Sequence, residues 1–290
     1  MTSETLTPTR PSRSWRPGSG LFRREPVAGQ RLTVASGLGL GVAVLWFSLL
    51  VLIPLIAVIV TASEGGWSAF WDAITTPQTA SAIRLTVTTA LIVTVVNVVM
   101  GTLIAWVLVR DKFPGRGVLE FLIDIPFALP TIVAGLVLLS LYGPRSPLGI
   151  NVANAPASVF LAFLFVTLPF VVRTVQPVLS ELDKEAEEAA ASLGASRFTT
   201  FRRIVLPALT PAIAAGAALS FARGVSEYGS LVLLSGNLPN RTEVTSVRIL
   251  ASIENDNIIA AAAVAAVLLA ISLVVIVAVD VLQRRLVRRG

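Results

Sequence analysis

The chain has 290 residues, with 23 Lys and Arg against 17 Asp and Glu, which gives a formal net charge of +6. This balance alone would suggest nucleic acid as a partner, but 54% of the residues are hydrophobic and only 14% are charged, against roughly 25% charged in a soluble domain. The mean hydropathy of +0.81 and several long uncharged stretches instead predict an all-α integral membrane protein, with lipid rather than nucleic acid around it.

The residue types that are missing exclude several kinds of chemistry. The chain has no Cys and no His, so it has no disulfide framework, thiolate nucleophile or HExxH metal site. Its two lysines, Lys112 and Lys184, each follow an aspartate, whereas a P-loop needs a Gly-Lys pair. We therefore expect no cofactor, no metal site and no ATPase activity, and any energy from ATP must be supplied by another polypeptide.

Uncharged runs predict six membrane spans, because an ionised side chain at the bilayer centre costs at least about 2.5 to 3.5 kcal/mol. They form a membrane domain over residues 32–283, between a basic, disordered tail (1–31) and a short basic C terminus (284–290). The spans are expected between Arg31 and Glu64, between Arg84 and Arg110, from Ile125 to Leu141, from Ala157 to Leu179, from Pro207 to Leu234 and from Ile258 to Val281.

The basic residues predict the orientation of these spans, since Lys and Arg are retained on the cytoplasmic side. Seventeen of them fall in the tail, in the loops after spans two and four, and at the C terminus. Only Arg84, Arg145, Arg241 and Arg248 fall on the other side. The pattern places both termini in the cytoplasm.

The loop between spans four and five contains a predicted short helix over residues 180–194. Ser180 and Asp183 fit a capping pattern, and Gly194 is expected to end the helix in the left-handed conformation. One apolar face is expected on this helix, which suits docking on another protein; a solvated connector is the alternative. Its members are Leu182, Ala186, Ala189 and Leu193.

The same loop resembles the EAA loop of ABC importer permeases. The resemblance rests on Glu188, Ala189, Ala190, Gly194, Ile204, Leu206 and Pro207 at the family's spacing. It implies a permease bundle whose cytoplasmic coupling helix, within residues 180–207, docks on a separate ABC ATPase dimer. It also implies an extracytoplasmic binding protein and a location in the bacterial cytoplasmic membrane.

Three further segments are similar to sulfate and thiosulfate permeases, specifically to the T-type member of a permease pair. They cover residues 124–135, 169–179 and 221–237. The resemblance implies sulfate or thiosulfate as substrate, a second permease subunit and a sulfate-binding protein. Molybdate permeases share much of this pattern, so molybdate or a related oxyanion remains an alternative.

Charged and polar residues inside the spans are candidates for the translocation path. Arg223 and Glu227 lie four residues apart, so they either form a structural ion pair or attract and release an anion. Tyr228 and Asn237 are candidates to complete a polar lining. Arg173 is a further candidate, although it lies close enough to the cytoplasmic end to extend to the interface instead.

Two other function classes are weaker alternatives. An ion-driven secondary transporter would be expected to show internal repeats and broken helices, and the sequence shows no convincing repeat. An intramembrane enzyme would depend on Glu120 and Asp124, which lie at the predicted cytoplasmic edge of a span rather than in its middle.

Overall fold

A computed structural model describes the backbone of residues 34–287 and the side chains of residues 36–285. The predicted N-terminal tail, residues 1–31, lies outside this part of the chain. Within the described residues, every regular element is a helix. The helices are α1 Val34–Phe47, α2 Ile53–Glu64, α3 Gly66–Thr75, α4 Pro77–Arg110, α5 Arg116–Ala128, α6 Thr131–Tyr142, α7 Pro156–Glu181, α8 Lys184–Ser192, α9 Arg197–Thr200, α10 Leu206–Val225, α11 Gly229–Leu234, α12 Thr245–Glu254 and α13 Ile258–Val287.

The chain divides into two compact units, one ending at Leu52 and the other beginning at Ile53. In the first unit, α1 is followed by a π-helical turn over Ser48–Leu52. Large apolar side chains of this unit, such as Leu45 and Trp46, are more than half exposed. Such a surface is suited to lipid rather than to water.

Five helical stretches are long and apolar enough to cross a bilayer, and a sixth span is present if the bent pair α5 and α6 counts as one. The five are Ser36–Glu64, Pro77–Arg110, Pro156–Glu181, Arg197–Val225 and Ile258–Arg285. The helical bundle predicted from the sequence is therefore confirmed.

Two of the predicted spans are interrupted. The third, expected as continuous over Ile125–Leu141, is bent by 118° between α5 and α6. Leu129 is extended there, with φ −86° and ψ 135°, because the ring of Pro130 disfavours a helical conformation in the residue before it. The fifth, expected to reach Leu234, ends its long helix at Val225 and resumes as α11 after a three-residue break.

The second unit is centred on α4, α7 and α10, which contribute to both of its larger buried apolar clusters. Between the clusters lies a polar contact: the amide nitrogen of Asn97 donates to Thr167 Oγ1 at 2.7 Å and to Ser220 Oγ at 3.4 Å. All three side chains are buried. The contact joins the three helices across the middle of the bundle, and it places Asn97 in the interior, as the cost of a polar group in lipid requires.

Candidate functional site

The predicted docking helix is present as α8, but it begins later than expected. Ser180 belongs to the last turn of α7, and the N-cap is Asp183, whose side chain accepts a hydrogen bond from Glu185 N at 2.8 Å. The predicted cap at Ser180 was wrong because α7 continues through that residue. The acidic first turn is nevertheless where the helix dipole favours negative charge.

Gly194 ends this helix in the predicted left-handed conformation, with φ +81°. The amide of Gly194 donates to the Ala191 carbonyl, and the amide of Ala195 donates to the Ala190 carbonyl, both at 3.0 Å. These two bonds form a Schellman motif, which satisfies carbonyls that a helix end leaves without partners. A Cβ atom at Gly194 would meet nothing within 4 Å, so glycine is needed for its backbone angle and not for space.

The surface of α8 is largely exposed. Ala186, Glu188 and Ala189 are exposed, and Leu193 is 89% exposed. Phe198, just after the helix, is 70% exposed. Leu182, predicted to share this face, instead lies before the helix and packs partly buried against the bundle. The remaining residues form an apolar patch that nothing else in the described part of the chain covers, which favours docking over a simple connector.

The less exposed side of α8 is attached to the spans by an ion pair that the sequence did not predict. Glu187 accepts from Arg110, at the end of α4. The Arg110 guanidinium lies 5.4 Å from the ring centre of Trp106, and Trp106 packs edge to face on Phe201 at 5.6 Å. These contacts connect α8 to α4 and to the base of the fifth span.

The remaining residues of the predicted motif lead from the loop into that span. Ile204 is half-buried within a π-helical turn over Phe201–Val205, and Leu206 and Pro207 open α10. Proline has no backbone N–H and cannot complete the regular helical pattern, so a widened turn directly before Pro207 is physically reasonable. The predicted motif therefore leads from an exposed helix into a membrane span through α9 and the π-helical turn.

The break in the fifth span contains Arg223 and Glu227. Arg223 lies in the last turn of α10, and its Nη2 is 2.6 Å from Glu227 Oε2. The Glu227 side chain is fully buried, whereas that of Arg223 is 28% exposed. The other carboxylate oxygen, Oε1, accepts from the backbone amide of Ser230 at 2.9 Å and from its hydroxyl at 2.8 Å. Arg223 and Glu227 form the ion pair that their spacing allowed, but Glu227 lies after α10, and its carboxylate bonds the first turn of α11.

The two other residues predicted near this pair have different surroundings. Tyr228 is 38% exposed, and within residues 34–287 its hydroxyl has no hydrogen-bond partner. Asn237 has a left-handed backbone with φ 50°, and its side chain bonds Ser235 Oγ at 3.0 Å and the Val232 carbonyl at 3.4 Å. The Tyr228 hydroxyl is thus free of hydrogen bonds within the described residues, while the amide of Asn237 is used within its own turn.

The break is held by a close approach of α6 and α11. A Cβ atom on Gly229 would lie 2.1 Å from Thr131 Oγ1, and one on Gly135 would lie 2.5 Å from the Ser230 carbonyl oxygen. Only glycine allows the backbones to come this close. The short helices α6 and α11 therefore pack with their backbones in close contact, although they are far apart in the sequence.

Arg173, the last predicted path residue, pairs with another helix. Its Nε donates to Asp124 Oδ1 of α5 at 2.8 Å, and its Nη1 donates to Gln176 Oε1 at 2.9 Å. Both charged side chains are between one third and one half exposed. The expectation that Arg173 simply extends to the interface did not include this partner, because Asp124 is 49 residues away in the sequence.

These features, a helical membrane bundle with an exposed short helix between two spans, are those expected of the membrane subunit of an ABC importer. Residues 97–289 match the family described as "Binding-protein-dependent transport system inner membrane component". The chain belongs to this family. It is a translocation subunit and not an enzyme.

Relatives and solved structures agree with this assignment. The chain is 43% identical over 270 residues to a "Sulfate transport system permease protein CysT" of Salmonella typhimurium, covering 91% of this chain and 98% of that protein. It is 44% identical over 250 residues to the protein of the same description from Synechocystis, covering 84% and 87%. A subunit in the crystal structure of a bacterial alginate ABC transporter, bound to a periplasmic protein with alginate pentasaccharide, has a TM-score of 0.70 at 17% identity, covering 87% and 94%.

Proposed function

We propose that this chain carries sulfate or thiosulfate across the bacterial cytoplasmic membrane as one half of a permease pair. The observation that carries the proposal is the 43% identity to a sulfate permease over 91% of the chain. The exposed α8 supports it, since an ATP-driven permease without its own ATPase needs a docking surface. The proposed partners are a second sulfate permease subunit, a cytoplasmic ABC ATPase dimer and an extracytoplasmic sulfate-binding protein.

The proposed orientation places α8 and both termini in the cytoplasm. Its support is the distribution of basic residues in the sequence, since most Lys and Arg fall in the terminal segments and in the loops after the second and fourth predicted spans. In this orientation the ATPase seats on the exposed patch of Ala186, Ala189, Leu193 and Phe198, with Glu188 beside it. Closure of the ATPase then acts on the spans through the Glu187–Arg110 pair and through the base of α10.

The proposed path runs past the break in the fifth span. Arg223 and Tyr228 are exposed in part and are proposed to meet the anion. Glu227 is buried and the Asn237 side chain bonds its own turn, so these two are proposed to hold the surrounding backbone. An arginine attracts a dianion, and its paired carboxylate keeps that attraction weak enough for release. Selectivity between oxyanions is then set largely by the binding protein.

Uptake of radiolabelled sulfate into cells that express the complete importer tests the substrate. We expect uptake to depend on this chain, to be competed by thiosulfate and to be competed poorly by molybdate. Stronger competition by molybdate than by sulfate would contradict the assignment and favour a molybdate permease.

Substitution of Glu188 tests the docking surface. Glu188→Lys should reduce co-purification of the ATPase and ATP-dependent uptake together, because it reverses a charge at the proposed contact. Glu254→Lys makes the same charge change at an exposed residue at the end of α12 and serves as the matched control. Equal ATPase recovery for the two variants would remove Glu188 from the contact.

A further inference from the structure

A cavity of about 480 Å³ lies where the ends of α4 and α7 meet the beginnings of α5 and α8. Its charged lining is entirely basic: Arg110, Arg116, Arg173 and Lys184. Gln176 and Ser180 add polar groups. No carboxylate from the described residues lines the cavity. A concave site with several convergent cations and neutral hydrogen-bonding groups is suited to a small anion.

The three arginines are held in place by carboxylates that lie outside the cavity wall. Arg110 pairs with Glu187, Arg173 with Asp124, and Arg116 with Glu120 at 3.1 Å. A guanidinium has five N–H donors, and these pairs use only some of them. The carboxylates therefore orient the arginines and reduce the net charge, so binding at this cavity should be reversible rather than tight.

Several donors remain available to a ligand. Arg116 uses only its Nε in its ion pair, which leaves both terminal nitrogens. Gln176 accepts from Arg173 through its Oε1, which leaves its amide nitrogen. Lys184 has no ion-pair partner among residues 34–287. These groups come from three different helices, so a ligand that accepts hydrogen bonds on several sides would satisfy them best.

We propose that this cavity is a binding site for a tetrahedral oxyanion at the α8 end of the protein. A sulfate or phosphate group presents four oxygens around one centre, which matches donors that converge from different helices. Two sources share this chemistry: free sulfate on that side of the membrane, and the phosphate of an anionic lipid headgroup. Free sulfate on that side of the membrane is the product of the proposed transport. The choice of sulfate as the free ligand therefore rests on the proposed function, whereas the oxyanion site itself does not.

Binding at this site would also affect α8. Arg110 contributes to both the cavity and the ion pair with Glu187, so an anion that takes donors of Arg110 competes with Glu187 for the same guanidinium. Two ligands that compete for one group are linked, and each weakens the other by the same factor. An anion in the cavity should therefore loosen the attachment of α8 to α4.

The two lysines allow the site to be tested directly. Lys184 lines the cavity and Lys112 is an exposed lysine outside it, so Lys112 is an internal control. The purified complex with its ATPase, in nanodiscs of phosphatidylcholine and without nucleotide, would be treated with an amine-acetylating reagent in sodium sulfate or in sodium chloride of equal ionic strength. Mass spectrometry then gives the extent of acetylation at each lysine, and equilibrium binding of radiolabelled sulfate gives the affinity.

We expect sulfate to protect Lys184 and not Lys112. Arg116→Gln should weaken both protection and sulfate binding about tenfold, because it removes a charge-assisted contact. Arg284→Gln is the matched control, since Arg284 also forms an i,i+4 ion pair, with Asp280, on an exposed helix surface. This control should bind sulfate as the wild type does.

Nanodiscs that contain phosphatidylglycerol distinguish the two sources of the anion. Protection of Lys184 by this lipid without sulfate, lost in Arg116→Gln, assigns the site to a lipid phosphate. Equal reactivity of Lys184 in all conditions, with sulfate binding unchanged in Arg116→Gln, overturns the proposal. Because neither measurement depends on uptake, a protein that binds sulfate here but does not import it would contradict the proposed function and leave this site standing.

Discussion

The loop that carries α8 and the break between α10 and α11 both interrupt the helical bundle, and both depend on a glycine, for different reasons. Gly194 has a positive φ and open space around it. Gly229 lacks a positive φ and lies against Thr131, with no room for a methyl group. Around Gly194 the apolar side chains are exposed, whereas around Gly229 even the carboxylate of Glu227 is buried.

This difference separates an exposed surface that is suited to a partner from a break whose carboxylate is bound within the chain. Glu227 accepts from Ser230 and pairs with Arg223, and Ser246 Oγ donates to the Glu227 carbonyl at 2.7 Å. Substitutions at the break should therefore reduce stability first, while substitutions in the loop should affect coupling and leave the fold intact.

Loss of the buried carboxylate should have the largest effect. Glu227→Ala leaves Arg223 without its partner and Ser230 without its acceptor, which should lower the stability of the complex by about 3 to 5 kcal/mol. Thermal unfolding of the purified complex in detergent would measure this. Wild-type stability in Glu227→Ala would show that the break does not depend on the ion pair.

The double variant Arg223→Gln with Glu227→Gln separates a structural role from a role in transport. It removes both charges, leaves no unpaired ion and keeps an amide oxygen near Ser230, so assembly should recover. Uptake should remain low if Arg223 attracts the anion. Recovered uptake in the double variant would instead make the pair purely structural.

An added methyl group at the break should have the next largest effect. Gly229→Ala forces a contact with Thr131 and should cost about 1 to 3 kcal/mol through overpacking. Gly224→Ala is the matched control five residues earlier, where a Cβ would meet its nearest neighbour, Ala90, at 3.6 Å. The control should be neutral or stabilising, because alanine is the better helix former; equal losses of thermal stability in the two variants would contradict the close packing described here.

Backbone strain in the loop should have a smaller effect on stability. Gly194→Val should cost about 1 kcal/mol or more, because a β-branched residue disfavours a positive φ. Gly194→Asn should cost less, since asparagine tolerates that conformation. We expect membrane insertion to survive in both variants and ATPase association to fall more in the valine variant; identical ATPase recovery would remove Gly194 from the coupling element.

Exposed apolar residues of the loop should have the smallest effect on the fold. Leu193→Ser and Phe198→Ser should change the thermal stability of the chain by less than about 0.5 kcal/mol, because both side chains are exposed. Their effect should appear in co-purification of the ATPase. A large loss of stability without loss of the ATPase would show that this patch packs within the chain.

Local features could be predicted from the sequence, and contacts between distant residues could not. Gly194 and the position of α8 follow from short-range chemistry, since a helix end needs a residue that tolerates a positive φ. The Arg110–Glu187 pair joins residues 77 apart in the sequence, and hydropathy contains no signal for it.

The interruptions of the third and fifth spans were only partly indicated by the sequence. Pro126 and Pro130 were visible in the third span, but neighbouring helices can accommodate prolines, so their presence did not determine a 118° bend. In the fifth span, the sequence did not predict the close approach at Gly229 or identify Thr131 as its neighbour. The N-cap was misplaced by three residues because α7 continues to Glu181, two residues beyond the predicted end of the span at Leu179.

The close packing of α6 against α11 has a consequence for biosynthesis. Alone, α6 has twelve residues, about 18 Å of helix, which is too short to cross a hydrocarbon layer of about 30 Å. The contacts of α6 with α11 are made by Gly229 and Ser230. These residues leave the ribosome roughly a hundred residues after α6 does. During synthesis, α6 therefore lacks its contact with α11 until α11 has been made. Nascent chains that stop before α11 should be recognised by membrane proteases.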